Sequence, residues 1–118
     1  MDVPLGKRQD LEGILEESFE GWYLRASKGT LRDIDVVRAA MSDGKPVGLV
    51  MLKTLEENVG YVYYIAVARA HRRSGVAKLL LEDSLRRFVA ADMKEAYASV
   101  EEDNEPSVKL FASEGFKP

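Results

Sequence analysis

Cysteine is absent from the chain, and histidine occurs once, at position 71. The first absence excludes disulfide staples, thiolate metal sites and a cysteine-linked acyl intermediate. The second leaves too few nitrogen ligands for an ordinary zinc centre, so no metal is expected. Long hydrophobic runs are also missing, since the longest, Tyr61 to Ala68, falls well short of the ~20 residues that a membrane helix needs. The N-terminus carries Asp2, Lys7, Arg8 and Asp10 where a secretory signal would be apolar, so a cytoplasmic protein is expected. Neither G-x-x-x-x-G-K-[ST] nor G-x-G-x-x-G is present, which removes the Walker loop and the dinucleotide fingerprint. No G-x-S-x-G elbow accompanies the single histidine.

What is present describes one folded unit over residues 1–118. A hydrophobic share of 46% beside a charged share of 31% supports a real core and excludes disorder. The net charge of −3 argues neither for nor against nucleic acid as a global partner. Its distribution says more. Residues 69–78 hold Arg69, His71, Arg72, Arg73 and Lys78 with no acid, whereas Glu101, Glu102, Asp103 and Glu105 form an acidic cluster. One end of a site suits phosphate and the other a cation. The basic cluster lacks interleaved aromatics, so nucleic acid is not expected as a partner.

Leu11, Ile14, Leu15, Trp22 and Tyr23 recur at helical spacing and predict a helix over about 9–25, preceded by a short strand at Val3 to Leu5. Ser27 to Asp35 is polar and aperiodic, a loop or a short second helix. Val36 to Met41 and Val47 to Leu52 flank an Asp43-Gly44 turn signal and predict a hairpin, with Gly60 to Ala68 as a third antiparallel strand. Ala77, Leu81, Leu85 and Phe88 mark a helix from about Ser74 to Ala91. A strand at Tyr97 to Val100 then completes a βαβ crossover parallel to the third strand. The last helix opens at Pro106 and closes at Gly115. The fold class is α/β (α+β): a mixed sheet in which an antiparallel meander leads into a parallel crossover.

Arg72-Arg73-Ser74-Gly75-Val76-Ala77 falls between a strand and a helix N-terminus, where unpaired N–H groups and the helix dipole favour an anion. Gly75 allows close backbone approach. Taken alone, the loop is equally an ordinary helix start with solvated arginines. Its surroundings favour the phosphate reading. Arg72, Gly75 and Ala77 match R/Q-x-x-G-x-G/A, and Asn104, Ser107, Leu110, Phe111, Gly115 and Phe116 match a second signature further on. Together these resemble the GNAT superfamily of acetyltransferases over residues 36–118. The run Val67 to Ala77 is most similar to protein N-terminal acetyltransferases.

The resemblance implies acetyl-CoA as acetyl donor. It implies that Ile65 and Val67 offer backbone groups to the pantetheine arm, that Arg72, Arg73, Ser74, Gly75, Val76 and Ala77 hold the pyrophosphate, and that Asn104 and Phe111 flank the thioester. The acceptor would be a primary amine: a peptide or protein N-terminus, a lysine or a small amine. An α-amino group titrates near ~8 and a lysine near ~10.4, so a lysine needs the stronger base or the drier pocket. The family often uses a tyrosine acid where this chain has Phe111, and a Glu or His where it has Ser99. Tyr61 is the preferred replacement and Glu101 the second. Both also read as structural residues, Tyr61 packed with Tyr63 and Tyr64 and Glu101 as a solvated acid. Trp22 and Tyr23 could line the acceptor pocket, although their spacing favours the core. The departures at Phe111 and Ser99 keep a second function open, a degenerate domain that binds CoA or acetyl-CoA as a sensor or subunit. The family also continues past Gly-Phe with two strands, and this sequence ends at Pro118. C-terminal strands are therefore expected to be missing, with a homodimer covering the exposed edge.

Overall fold

The Asp43-Gly44 pair does what its composition demands. Both residues take positive φ, 51° and 77°, and Ser42 pairs directly with Lys45, the two-residue connection whose twist suits a hairpin. This computed structural model describes residues 1–55, 58–98 and 105–116. Strands β1 (Val36–Ser42), β2 (Lys45–Leu55) and β3 (Val59–Val67) form an antiparallel meander, and β4 (Glu95–Ala98) adds parallel to β3. The sheet order is β1-β2-β3-β4, as the mixed-sheet expectation requires. The helices are α1 (Glu12–Ser18), α2 (Gly21–Asp33), α3 (Val76–Ala90) and α4 (Glu105–Ser113).

The sheet is covered on both faces, so central β2 is buried continuously from Val47 to Leu52 rather than alternating. Leu49 and Met51 join Leu11, Ile14, Leu15 and Leu31 on one face. Val50 and Leu52 join Leu80, Leu81, Phe88 and Phe111 on the other. The β2–β3 register shifts between Met51, opposite Tyr64, and Leu52, opposite Val62. This bulge inserts Tyr63 and changes the phase of the strand. Val62 and Ile65 therefore share the α3 face, while Tyr64 and Ala66 belong to the α1 face.

Three local expectations are corrected, and the stretch after Ser27, expected as a loop or a short second helix, is helical. The helix expected over 9–25 is interrupted: a 3-10 segment spans Leu5–Leu11, α1 ends at Ser18, and Phe19 turns extended at φ −131° and ψ 157°. That turn lets the Phe19 ring meet Tyr64 edge-on at 5.7 Å, and Gly21, at φ +56°, restarts the chain as a new helix. The polar stretch after Ser27 belongs to that helix as far as Asp33. Ser27 and Thr30 satisfy their hydroxyls on Leu24 O and Ala26 O within it, which hides the helix from an apolar-periodicity reading. Trp22 and Tyr23 lie on the surface, 66% and 42% exposed, because the break rotates them off the face set by Leu11 and Leu15. Val3 to Leu5 is not a strand, although Met1 to Val3 bonds along β1 through Val3 N to Val37 O at 2.8 Å and Ala39 N to Met1 O at 2.8 Å.

The last expected strand begins earlier, at Glu95, and Ser99 and Val100 lie outside the described residues. Among the described residues no helix is long and apolar enough to cross a membrane.

Candidate active site

β3 is paired along its length on one side and only partly on the other. Parallel pairing with β4 runs from Val59 opposite Glu95 to Val62 opposite Ala98. From Tyr63 to Val67, no described strand residue pairs with that side of β3, although Val67 O accepts from Arg72 Nε at 3.2 Å. Ala68 N donates to Val47 O at 2.8 Å, and antiparallel bonding alternates along the strand. Ala66 thus faces β2, and the backbone groups of Ile65 and Val67 point to the open side.

The chain then makes a short 3-10 turn at Arg69–His71 and reaches the glycine turn. Arg73 and Gly75 both take left-handed conformations, at φ 62° and 84°. Gly75 occupies the N-cap position of α3 without any side-chain cap, and the first helical donor beyond it is Leu79 N, bonded to Gly75 O at 3.0 Å. The first-turn amides of a 15-residue helix are thereby presented to an exposed turn, with the positive end of the dipole behind them. Ser74 turns its hydroxyl inward to His71 O. Nothing lies within 4 Å of where a Gly75 side chain would stand, so the left-handed φ, not crowding, requires glycine there.

Close packing beneath the turn fixes its position. A Cβ on Gly48 of β2 would stand 2.9 Å from Val76 Cγ1, 3.0 Å from Leu80 Cδ1 and 3.2 Å from Ala66 O. The missing side chain lets the first turn of α3 lie directly on the sheet. Sequence reasoning missed Gly48, and the signal was a glycine inside an apolar strand pattern.

Arg72 to Ala77 thus adjoin the open end of β3, and Ile65, Val76 and Phe111 belong to one apolar cluster. Phe111 is 7% exposed and meets Phe116 edge-on at 5.1 Å. The Arg72 side chain points away from the turn amides: Nε donates to Val67 O at 3.2 Å and Nη2 to Glu17 O at 2.7 Å. Tyr61 is half-buried in the paired part of β3, opposite Lys53 and Tyr97, with its ring 4.7 Å from that of Tyr63. Glu101 and Asn104 lie outside the described residues.

Burial raises the Tyr64 phenol above its ordinary value, with a smaller opposing effect from its hydrogen bond with Thr30. The bond to Glu95 raises exposed Tyr97. Both therefore stay protonated at neutral pH and neither acts as a ready base. Among the described residues no group of three or more His, Asp or Glu side chains is arranged to hold a metal ion.

Among the described residues, the end of β3 that has no strand partner on one side adjoins the uncapped N-terminus of α3. The model of the acetyltransferase (GNAT) family matches residues 8–116, and the chain belongs to that family. Similar solved structures include the ribosomal-protein-S18-alanine N-acetyltransferase from Escherichia coli, at TM-score 0.86 and 15% identity over 99% of this chain and 76% of that one. The ribosomal-protein-alanine N-acetyltransferase from Brucella melitensis biovar Abortus 2308 aligns at 0.80 and 20%, over 100% and 91% of the two chains. An aminoglycoside N-acetyltransferase, AAC(6')-Iy in complex with CoA, aligns at 0.78 and 20%, over 100% and 90%. At these identities the structural likeness establishes the fold. No curated protein matches the chain in sequence.

Proposed function

We propose that this single domain transfers an acetyl group from acetyl-CoA to a primary amine by direct attack, without a covalent enzyme intermediate, in the cytoplasm. The observation that carries the proposal is the uncapped N-terminus of α3 beneath a turn with two left-handed residues, adjoining the half of β3 that no described strand residue pairs on its β4 side. The turn amides from Arg73 to Ala77 suit a pyrophosphate, and the outward backbone groups of Ile65 and the outward N–H of Val67 suit an amide-bearing arm, with Val67 O taken by Arg72 Nε. When bound, acetyl-CoA supplies an activated thioester carbonyl.

The protein's part is to hold that carbonyl beside a neutral amine, accept the amine proton and return a proton to the departing thiolate. Tyr61 is proposed for the proton relay, with Glu101 as the second candidate. Asn104 and Phe111 are proposed at the thioester end. The likeness of Val67 to Ala77 to protein N-terminal acetyltransferases orders the acceptors, with a peptide or protein N-terminus first and a lysine or small amine after it. A homodimer covering the open edge of β4 belongs to the same proposal.

A second reading is favoured by one observation. Phe111, where relatives often carry a tyrosine acid, is buried and has no proton to give. On that reading the domain binds CoA or acetyl-CoA as a sensor or subunit without turnover.

Incubation with acetyl-CoA and a panel of peptides and polyamines, following free thiol, separates the two readings: turnover with any amine supports the enzyme. Calorimetry tests the shared site. Gly75→Val forces a β-branched residue to φ +84° and should weaken CoA binding by on the order of tenfold or more, given strain of roughly 1–3 kcal/mol in the turn. Unchanged affinity in a folded variant removes the turn from the site.

A further inference from the structure

Arg72 opens the turn, and its guanidinium is engaged in three directions. Nε donates to Val67 O at 3.2 Å, and Nη2 donates to Glu17 O at 2.7 Å and reaches Ser18 Oγ at 3.4 Å. The Val67 carbonyl belongs to the last residue of β3. Glu17 O is one of the last carbonyls of α1, which lack intrahelical donors and form the negative end of that helix. A second link runs beside the first, from Arg69 N to Glu17 Oε1 at 3.4 Å. α1 stops here because Phe19 leaves the helix to pack on Tyr64. The guanidinium of this exposed residue therefore bridges the end of β3, the end of α1 and the start of the turn at the surface.

We infer that Arg72 is a positioning residue rather than a phosphate ligand: its guanidinium fixes the turn against the end of β3 and pins the α1–α2 break to the same point. The inference deepens the reading of the turn as the CoA site and rests on it. Three acceptors in different directions match the planar fork of arginine, and the compact ammonium of lysine cannot reproduce that pattern. A phosphate contact made by charge, in contrast, would survive substitution by lysine in large part and would weaken with salt.

The test uses CoA as the probe, with calorimetry of the parent, Arg72→Lys and Arg72→Gln at low and high salt, and thermal melting of each. Both variants should lose on the order of tenfold in affinity, the size of one lost charge-assisted hydrogen bond, with the salt dependence of the parent. NMR of the unmutated protein keeps the decision independent of how the variants fold. The Arg72 Nε–H should already be protected from exchange without CoA and should barely move when CoA is added, while the Ser74, Gly75 and Val76 amides shift. Parent-like affinity in Arg72→Lys, with weaker and less salt-sensitive binding in Arg72→Gln, overturns the inference. So does an Arg72 Nε–H that becomes protected only with CoA. A parent that does not bind CoA refutes the reading of the turn and with it the positioning role toward CoA. That failure is distinguishable, because Nε–H protection is read in the free protein.

Discussion

Arg8 is 7% exposed, and no described acid pairs with it. Its partners are carbonyls instead: Nη1 donates to Leu31 O at 3.1 Å and Ile34 O at 2.7 Å, and Nε to Val3 O at 3.4 Å. The guanidinium sits at the C-terminus of α2, where unpaired carbonyls and the dipole favour a cation. Arg8→Met keeps the apolar stem but orphans these acceptors, and urea denaturation should show a loss of about 2–3 kcal/mol. An unchanged midpoint would mean that water replaces the guanidinium. Tyr61 belongs to the same scale but bears on the reaction. Tyr61→Phe keeps the ring against Tyr63 and removes only the hydroxyl. If that hydroxyl relays a proton, turnover at saturating acetyl-CoA should fall on the order of a hundredfold while the affinity for CoA stays constant. Equal rates across pH would make Tyr61 structural and direct attention to Glu101.

At the scale of elements, two glycines let α3 lie on the sheet, and they act at opposite ends of the helix. A Cβ on Gly48 would press on Val76 and Leu80 near the N-terminus, whereas one on Gly60 would stand 2.6 Å from the Phe88 ring near the C-terminus. Gly48→Val and Gly60→Ala should each cost about 1–3 kcal/mol of stability as α3 adjusts. Only Gly48→Val should also weaken CoA binding, because only it displaces the turn. Melting curves combined with calorimetry check the pair, and equal affinity losses would show that α3 moves as one rigid body.

The same elements show why some of the structure was legible in advance. The hairpin, β3 and α3 were readable because Asp43-Gly44, the β-branched runs and the spacing from Ala77 to Phe88 each express a local preference. The glycine turn was readable because Gly75 serves a local backbone requirement. The break at Phe19 was not, since its cause is a ring contact with Tyr64, far along the chain. The clamp formed by Arg72 was hidden for the same reason: Glu17 and Val67 accept through main-chain carbonyls, which leave no mark in the identity of either residue. The bulge at Tyr63 likewise arises from pairing between strands, and without it the faces of Val62 and Tyr64 are assigned wrongly.

At the scale of the whole molecule, the two edges of the sheet are treated differently. The outer edge of β1 is covered by Met1 to Val3, whose ammonium and amides bond to Ala39 and Val37. β4 pairs with β3 on one side, and no described residue pairs with the other. A groove of about 680 Å³ is lined by Lys94 to Ala98, Glu114 to Phe116 and Leu85. Tyr97 stands there 50% exposed. An edge without a strand partner offers backbone donors and acceptors to another strand. The proposed homodimer would use it, because two β4 edges can pair antiparallel across a two-fold axis and join the sheets. Light scattering over a dilution series should then show a dimer that dissociates at low concentration. Tyr97→Lys should shift the equilibrium to monomer by setting like charges against each other across the axis. A parent protein that stays monomeric at micromolar concentration and above would show that the β4 edge is not closed by its own copy.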